Sequence, residues 1–163
     1  MTAPLPPDMT DADRYCLDLL DHDGLMTPVL RAQFGRLSVV QVVAERSADL
    51  FLRESSIYQV ATGAKILDAV LRISLPALPS GFLERLLAED VLFGQLLIEF
   101  RIGVRITGRS CYLSQTTPDQ ARRWGRRLIM YRLDSGALLC GVDELLANGA
   151  DLLALLAQTT PSP

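Results

Sequence analysis

Two strand–turn–strand segments constrain the fold of this chain more than any other feature. Residues 49–60 and 65–75 flank "ATGA", and residues 126–134 and 137–146 flank Asp134-Ser135-Gly136. Apolar runs of strand length joined by short Gly-containing turns predict β-hairpins, and a hairpin pairs its strands antiparallel. The β-branched run "RLSVVQVVAE" at 36–45 predicts a further strand ahead of the first hairpin. Helical signals surround these strands. Thr10 with Asp13 three residues on forms a capping-box start, and Ala12, Tyr15, Cys16, Leu19 and Leu20 make an apolar stripe that Asp23-Gly24 closes. Pro76 and Pro79 end the first sheet segment, and "SGFLERLLAED" at 80–90 places Phe82, Leu83, Leu86 and Leu87 on one helical face. "LFG" at 92–94 then turns the chain into a strand near 96–107. "TTPDQARRW", with a Thr cap and Pro118 and Asp119 in its first turn, predicts a helix of about two turns, and Asn148-Gly149 opens a last short one. The order is helix, three strands, helix, strand, helix, two strands, with no βαβ repeat. The expected fold class is α+β, a single antiparallel β-sheet with helices packed on it.

Size and charge narrow the function classes. At 163 residues and 49% hydrophobic the chain fits one domain, 1–163, with flexible ends at 1–9 and 158–163. A chain of this length buries roughly 70% of its unfolded surface. Net charge is −3 and the basic residues are scattered, so no phosphate-tracking stripe forms and nucleic acid is not an expected partner. Of the 16 basic residues only Lys65 is a lysine, which fits an arginine-rich coding bias better than a set of guanidinium forks. The single His22, in "DHDG", reads as a solvated turn residue, which disfavours histidine-dependent triads and His-rich metal sites. Cys16, Cys111 and Cys140 are widely spaced in apolar runs without a CxxC, as buried thiols of a reducing cytoplasm would be. The opening "MTAPLPPDMT" lacks the basic start and apolar stretch of a secretory signal, and no run approaches the roughly 20 apolar residues that span a bilayer. The expectation is a cytoplasmic protein without membrane association.

Four charged strand residues bear on where a site could lie. In "ALLCGVDELL", Leu139, Gly141, Asp143 and Leu145 share one strand face, and Leu138, Cys140, Val142, Glu144 and Leu146 share the other. Only one of Asp143 and Glu144 can face a given cavity, and a strand ending near 142 would leave both in water. An inward carboxylate must be paired or hold a proton, and either state serves acid chemistry. Arg53 shares a face with Phe51, Ser55 and Ile57; turned inward it would need an acidic partner, from the protein or from a ligand. Arg72 lies with Asp68 and Ser74, opposite Ala69, Leu71, Ile73 and Leu75, so periodicity alone places it in solvent. Arg122, Arg123, Arg126 and Arg127 around Trp124 read as complements of a helix C-terminus. Nucleotide-loop, zinc-protease and serine-hydrolase motifs are absent from the sequence.

"LRESS" at 52–56, "LFG" at 92–94 and "WGRRLIMYRLDSGALLCGVDELL" at 124–146 together resemble the chorismate pyruvate-lyase family. That family has an Arg in an "LRE" segment, a "PLG" turn, a "WGRR" lead into a hairpin and a late strand carboxylate. The resemblance runs from about residue 15 to 146; it is most specific at "WGRR" and weak from 96 to 115. It implies a chorismate lyase-like fold and elimination of pyruvate from chorismate to give 4-hydroxybenzoate by a cofactor-independent carbon–oxygen lyase. Arg53 would anchor the aromatic carboxylate, Arg72 would be a second contact to it, and Asp143 would meet the departing oxygen. Met26 in "GLMTPVL" and Phe93-Gly94 in "LFG" would complete the pocket. No metal or organic cofactor is called for, and the partner is a small aromatic or cyclic carboxylic acid.

Two departures bear on that reading. Asp143 stands where the family has Glu, and withdrawal of a catalytic group by about 1 Å can cost around 100-fold in rate. Leu92-Phe93 replaces Pro-Leu. Two alternatives therefore stay open: a tailoring cyclase or dehydratase of secondary metabolism using the enclosed pocket on a larger apolar substrate, and a non-catalytic aromatic-acid-binding module. The ligand-sensing half of some transcription regulators is similar in fold. Such sensors usually follow a helix-turn-helix, for which one short helix before the first strand leaves no room.

Overall fold

The computed structural model describes residues 5–88, 90–114 and 121–159. Helices α1 (Asp11–Leu20) and α2 (Met26–Phe34) lead into the strands β1 (Leu37–Arg46), β2 (Leu50–Gln59) and β3 (Lys65–Ser74). A single 3-10 turn at Leu75–Ala77 and helices α3 (Phe82–Leu87) and α4 (Phe93–Glu99) follow. Strands β4 (Val104–Ser114), β5 (Arg123–Arg132) and β6 (Leu138–Leu146) and helix α5 (Gly149–Thr159) complete the order. The six strands form one sheet in the order β1-β2-β3-β6-β5-β4, and every neighbouring pair is antiparallel. Two three-stranded meanders thus meet along β3 and β6. The helices pack on one face of this sheet, as the α+β reading expects.

Local chemistry accounts for most elements. Thr10 and Asp13 form a reciprocal capping box at α1. Asp13 also accepts a hydrogen bond from Trp124 Nε1 at 2.8 Å, tying α1 to β5. Gly63 and Gly136 take positive φ (73° and 71°) in the two hairpin turns, a conformation that favours glycine. The core divides into two clusters on the helix-covered face. One joins α1, α2 and α5 to Val39, Ile57, Leu67 and Trp124; the other joins α3 and α4 to Phe51, Leu71, Ile73, Leu128 and Met130. Cys16, Cys111 and Cys140 are buried free thiols.

Several expected elements differ. α2 replaces what reads as loop between Gly24 and β1. "MTPVLRAQF" is only nine residues, starts on an uncapped Leu25 and carries Pro28 in its first turn, where proline is tolerated. Residues 93–99 are helix, and the strand begins at Val104. A short apolar run has no periodicity to separate helix from strand, and packing of Leu96 and Leu97 beneath α3 decides it. The expected helix at 116–124 falls largely on 115–120, outside the described residues, while Arg123 and Trp124 are already strand. The arginines around Trp124 accordingly do not complement a helix end. Arg123, Arg126 and Arg127 alternate across β5, and Arg122 pairs with Asp8 at 2.5 Å. No helix among the described residues is long and apolar enough to cross a membrane.

Candidate functional site

A small, partly enclosed cavity of about 40 Å³ lies on the helix-covered face, at the seam between the two core clusters. Its floor is the sheet. Cross-strand register sets one row as Gln41, Ser55, Ala69, Glu144, Arg126 and Cys111, and the neighbouring row as Arg53, Leu71, Val142 and Leu128. Strands lie about 4.8 Å apart, so the positions of Ser55 and Glu144 are separated by roughly 10 Å across the small side chain of Ala69. Ala69, at that central position, lines the cavity. Its lip comes from two helix starts, Leu25–Thr27 of α2 and Leu92–Gly94 of α4, neither of which has a side-chain cap. The lips touch closely: a Cβ on Gly94 would lie 2.5 Å from Thr27 Oγ1.

Arg53 occupies one wall and is 1% exposed. Its Nη2 donates to Val91 O at 3.0 Å and its Nε to Gln41 Oε1 at 3.3 Å. Both partners are neutral, and among the described residues no carboxylate pairs with it. Burial accordingly lowers its pKa from the ordinary arginine value. Ser55, buried on the same strand face two residues on, also lines the cavity.

Glu144 occupies the opposite wall. Arg126 Nε donates to its Oε2 at 2.5 Å, and both residues are buried. Burial pushes the Glu144 carboxyl above the usual carboxylate range, with Arg126 pulling the other way. The rest of the Arg126 guanidinium donates to two backbone carbonyls, His22 O at 3.0 Å and Gly24 O at 3.2 Å. His22, expected as a solvated turn residue, is half-buried against it. Burial and the nearby Arg126 and Arg109 lower the His22 pKa.

The structure therefore brings together Arg53, Met26, Phe93 and Gly94 as cavity-lining residues, and it separates them from Asp143 and Arg72. Asp143 lies on the opposite face of the sheet, hydrogen-bonded to Tyr112 Oη and, at 2.8 Å, to Arg127 Nε. Arg127 in turn stacks 4.5 Å over the Tyr112 ring. Arg72 is exposed on the same outer face. Strand parity explains both corrections. On β6 the even-numbered residues Cys140, Val142, Glu144 and Leu146 face the helices, so the inward acid is Glu144. Arg126 was missed as a site residue because nothing in its sequence distinguishes it from Arg127.

Two wider depressions, of about 760 and 790 Å³, are open grooves at the surface. The principal cation of the larger, Arg109, is already bonded to Asp21 and Asp23, whereas Arg53 on the wall of the small cavity has only neutral partners among the described residues, so the small cavity is the better candidate. Among the described residues no group of three or more His, Cys, Asp or Glu side chains could hold a metal ion.

No family model and no curated protein matches the sequence. Solved structures match its fold. PhnF from Mycobacterium smegmatis aligns with a TM-score of 0.56 at 12% identity, covering 77% of this chain and 64% of that one. The effector domain of PhnF aligns with a TM-score of 0.56 at 11% identity, covering 76% of this chain and 88% of that one. A gene product of Staphylococcus aureus aligns with a TM-score of 0.51 at 10% identity, over 78% of this chain and 90% of that one. The chain thus spans less than two thirds of the length of full PhnF. At these identities the likeness establishes the fold, a chorismate lyase-like antiparallel sheet with helices on one face. The expectation of a carbon–oxygen lyase is overturned. The solved domain that shares this architecture is an effector domain, and the acid assigned to the chemistry, Asp143, is on the wrong side of the sheet.

Proposed function

We propose that this chain is a non-catalytic ligand-binding module, an effector domain in the sense in which PhnF has one, and that its cavity takes a small carboxylic acid with an apolar body. The observation that carries this reading is Arg53. A guanidinium taken out of water is costly unless it is paired, and this one has only neutral partners among the described residues. A ligand carboxylate would supply the missing charge, with the Ser55 hydroxyl as a second donor. Ile57, Leu71, Phe93, Met130 and Val142 would enclose an aromatic or cyclic body, and Glu144 would accept a hydrogen bond from its far end.

The cavity holds little more than two or three waters at its present size, given that one water needs roughly 10–15 Å³ on this measure. Binding must therefore part the Leu25–Thr27 and Leu92–Gly94 lips.

Titration calorimetry with benzoate, 4-hydroxybenzoate and the corresponding methyl esters tests the reading. The acids are expected to bind and the esters to fail. Arg53→Gln is expected to weaken acid binding by about 2–5 kcal/mol, the usual cost of removing one partner of a buried charge pair. Equal affinity for acid and ester, or an unchanged affinity in Arg53→Gln, would remove Arg53 as the anchor.

A further inference from the structure

We infer that Arg126 is a positioning residue that couples occupancy of the cavity to the turn between α1 and α2, through Glu144. The inference rests on the proposed reading of the cavity as an acid-binding site, and it adds a direction in which binding is transmitted.

Three observations converge on it. Arg126 is fully buried and spends its donors in two directions: Nε goes to Glu144 on the cavity wall, while Nη1 and Nη2 go to the carbonyls of His22 and Gly24. The carbonyls belong to the turn that immediately precedes Leu25–Thr27, one of the two lips that must part for a ligand to enter. The same turn is held from outside by Arg109, which bonds Asp21 and Asp23. The turn is thus clamped between one guanidinium that is connected to the cavity and one that is not. The cavity acid is the variable part of this arrangement, because Glu144 lies on the cavity wall where a ligand can reach it.

A ligand whose far end donates a hydrogen bond competes with Arg126 for the Glu144 carboxylate. A guanidinium that loses part of its hold on Glu144 re-aims its planar fork as a unit, and its bonds to His22 O and Gly24 O change with it. An acid without a donor at that end fills the apolar part of the cavity and leaves the clamp as it is. Ligands of equal size and charge should therefore differ in what they do to the turn. This is the differential contact that a ligand-driven shift between two states requires.

Benzoate and 4-hydroxybenzoate are the matched probes, differing by one donor. Binding of each is measured by calorimetry on the whole chain. The Arg126 Nε–H signal and the Gly24 amide signal are then followed by nitrogen-15 NMR at saturation with either acid. Arg126→Lys serves to assign the side-chain signal, and Glu144→Gln serves as the variant in which the clamp loses its charge but keeps an acceptor. The expected result is that both acids bind and only 4-hydroxybenzoate shifts the two signals and speeds exchange of the Arg126 Nε–H several-fold. In Glu144→Gln the difference between the two acids should shrink. If both acids bind and both move, or both leave, the Gly24 signal to the same extent, the coupling is wrong while the acid site stands. If neither acid binds, the reading of the cavity falls and the coupling falls with it.

Discussion

Arg126 and Arg127 are neighbours on β5, Glu144 and Asp143 are neighbours on β6, and the register pairs them directly across the two strands. Both pairs are Arg–carboxylate contacts, at 2.5 Å and 2.8 Å. The inner pair is closed under the helices at the edge of a cavity; the outer one lies on the bare face with the Arg127 side chain 65% exposed. Identical chemistry one residue apart thus has two different physical meanings. Indoors each guanidinium nitrogen needs a partner, and Arg126 Nη1 and Nη2 find theirs in the His22 and Gly24 carbonyls. Outdoors water completes whatever the pair leaves open, and the contact contributes little.

The largest expected effect separates the pairs outright. Arg126→Met leaves Glu144 buried without its partner and should lower stability by about 3–5 kcal/mol in urea unfolding. Arg127→Met should leave the urea midpoint within experimental scatter. Comparable losses in the two variants would break the distinction between the faces.

Next in size is Gly125→Ala. Tyr112 lies across Gly125 to reach Asp143, and a Cβ there would come within 2.5 Å of its Cζ and 2.8 Å of the Glu144 carbonyl. Overpacking of this kind costs roughly 1–3 kcal/mol. Truncating the ring in Tyr112→Ala/Gly125→Ala should recover part of the loss, because only the backbone contact would then remain. No recovery would mean that the carbonyl alone excludes the side chain.

The smallest expected effect is in pH dependence, and the two faces should differ in sign. Burial works to raise the pKa of Asp68 on the outer face, but hydrogen bonds from Ser56, Arg123 and Lys65 prevail and leave it below the ordinary aspartate value of about 3.8. Its contribution is therefore present above about pH 3.8 and is lost as pH falls through the lowered folded value. Glu144 is raised above 4.5, so its contribution is present below about pH 4.5 and is lost as pH rises through the raised folded value. Unfolding midpoints of Asp68→Asn and Glu144→Gln, each taken relative to wild type across pH 2.5–7 (roughly the span set by ordinary carboxylate pKa values), should run with opposite slopes. Slopes of the same sign would place both acids in one electrostatic environment.

The hairpins, the α1 capping box and the inward face of β2 were legible in the sequence because turn residues and alternation write them locally. Arg53, Met26, Phe93 and Gly94 were singled out through the family resemblance, since alternation alone does not separate Arg53 from a solvated strand arginine and says nothing of the other three. The inward acid was not legible. On β6 both alternating sets are apolar apart from one carboxylate each, and the choice between them follows from pairing with β3 and β5, including a register shift between Met130 and Tyr131. No local pattern encodes that. Arg126 was hidden in the same way, since only the fold reveals that its side of β5 is the covered one. The glycine of "WGRR" is visible as a motif, but its reason, the Tyr112 ring lying over it, depends on the register with which β4 pairs with β5.

The pairing of β3 with β6 has a consequence for how the molecule acquires its site. Arg53, Ser55 and Ala69 come from the first meander, and Met130, Val142 and Glu144 come from the second. Neither half holds a cavity by itself; the walls meet only when strands nearly half the chain apart zip together along the middle of the sheet. Closure of so long a loop is slow relative to hairpin formation, so the cavity is among the last features to form. A ligand held there bridges the halves, and by mass action it stabilises their union instead of either part. Two fragments divided between β3 and α3 would each be blind to the ligand, and the ligand would promote their reassembly.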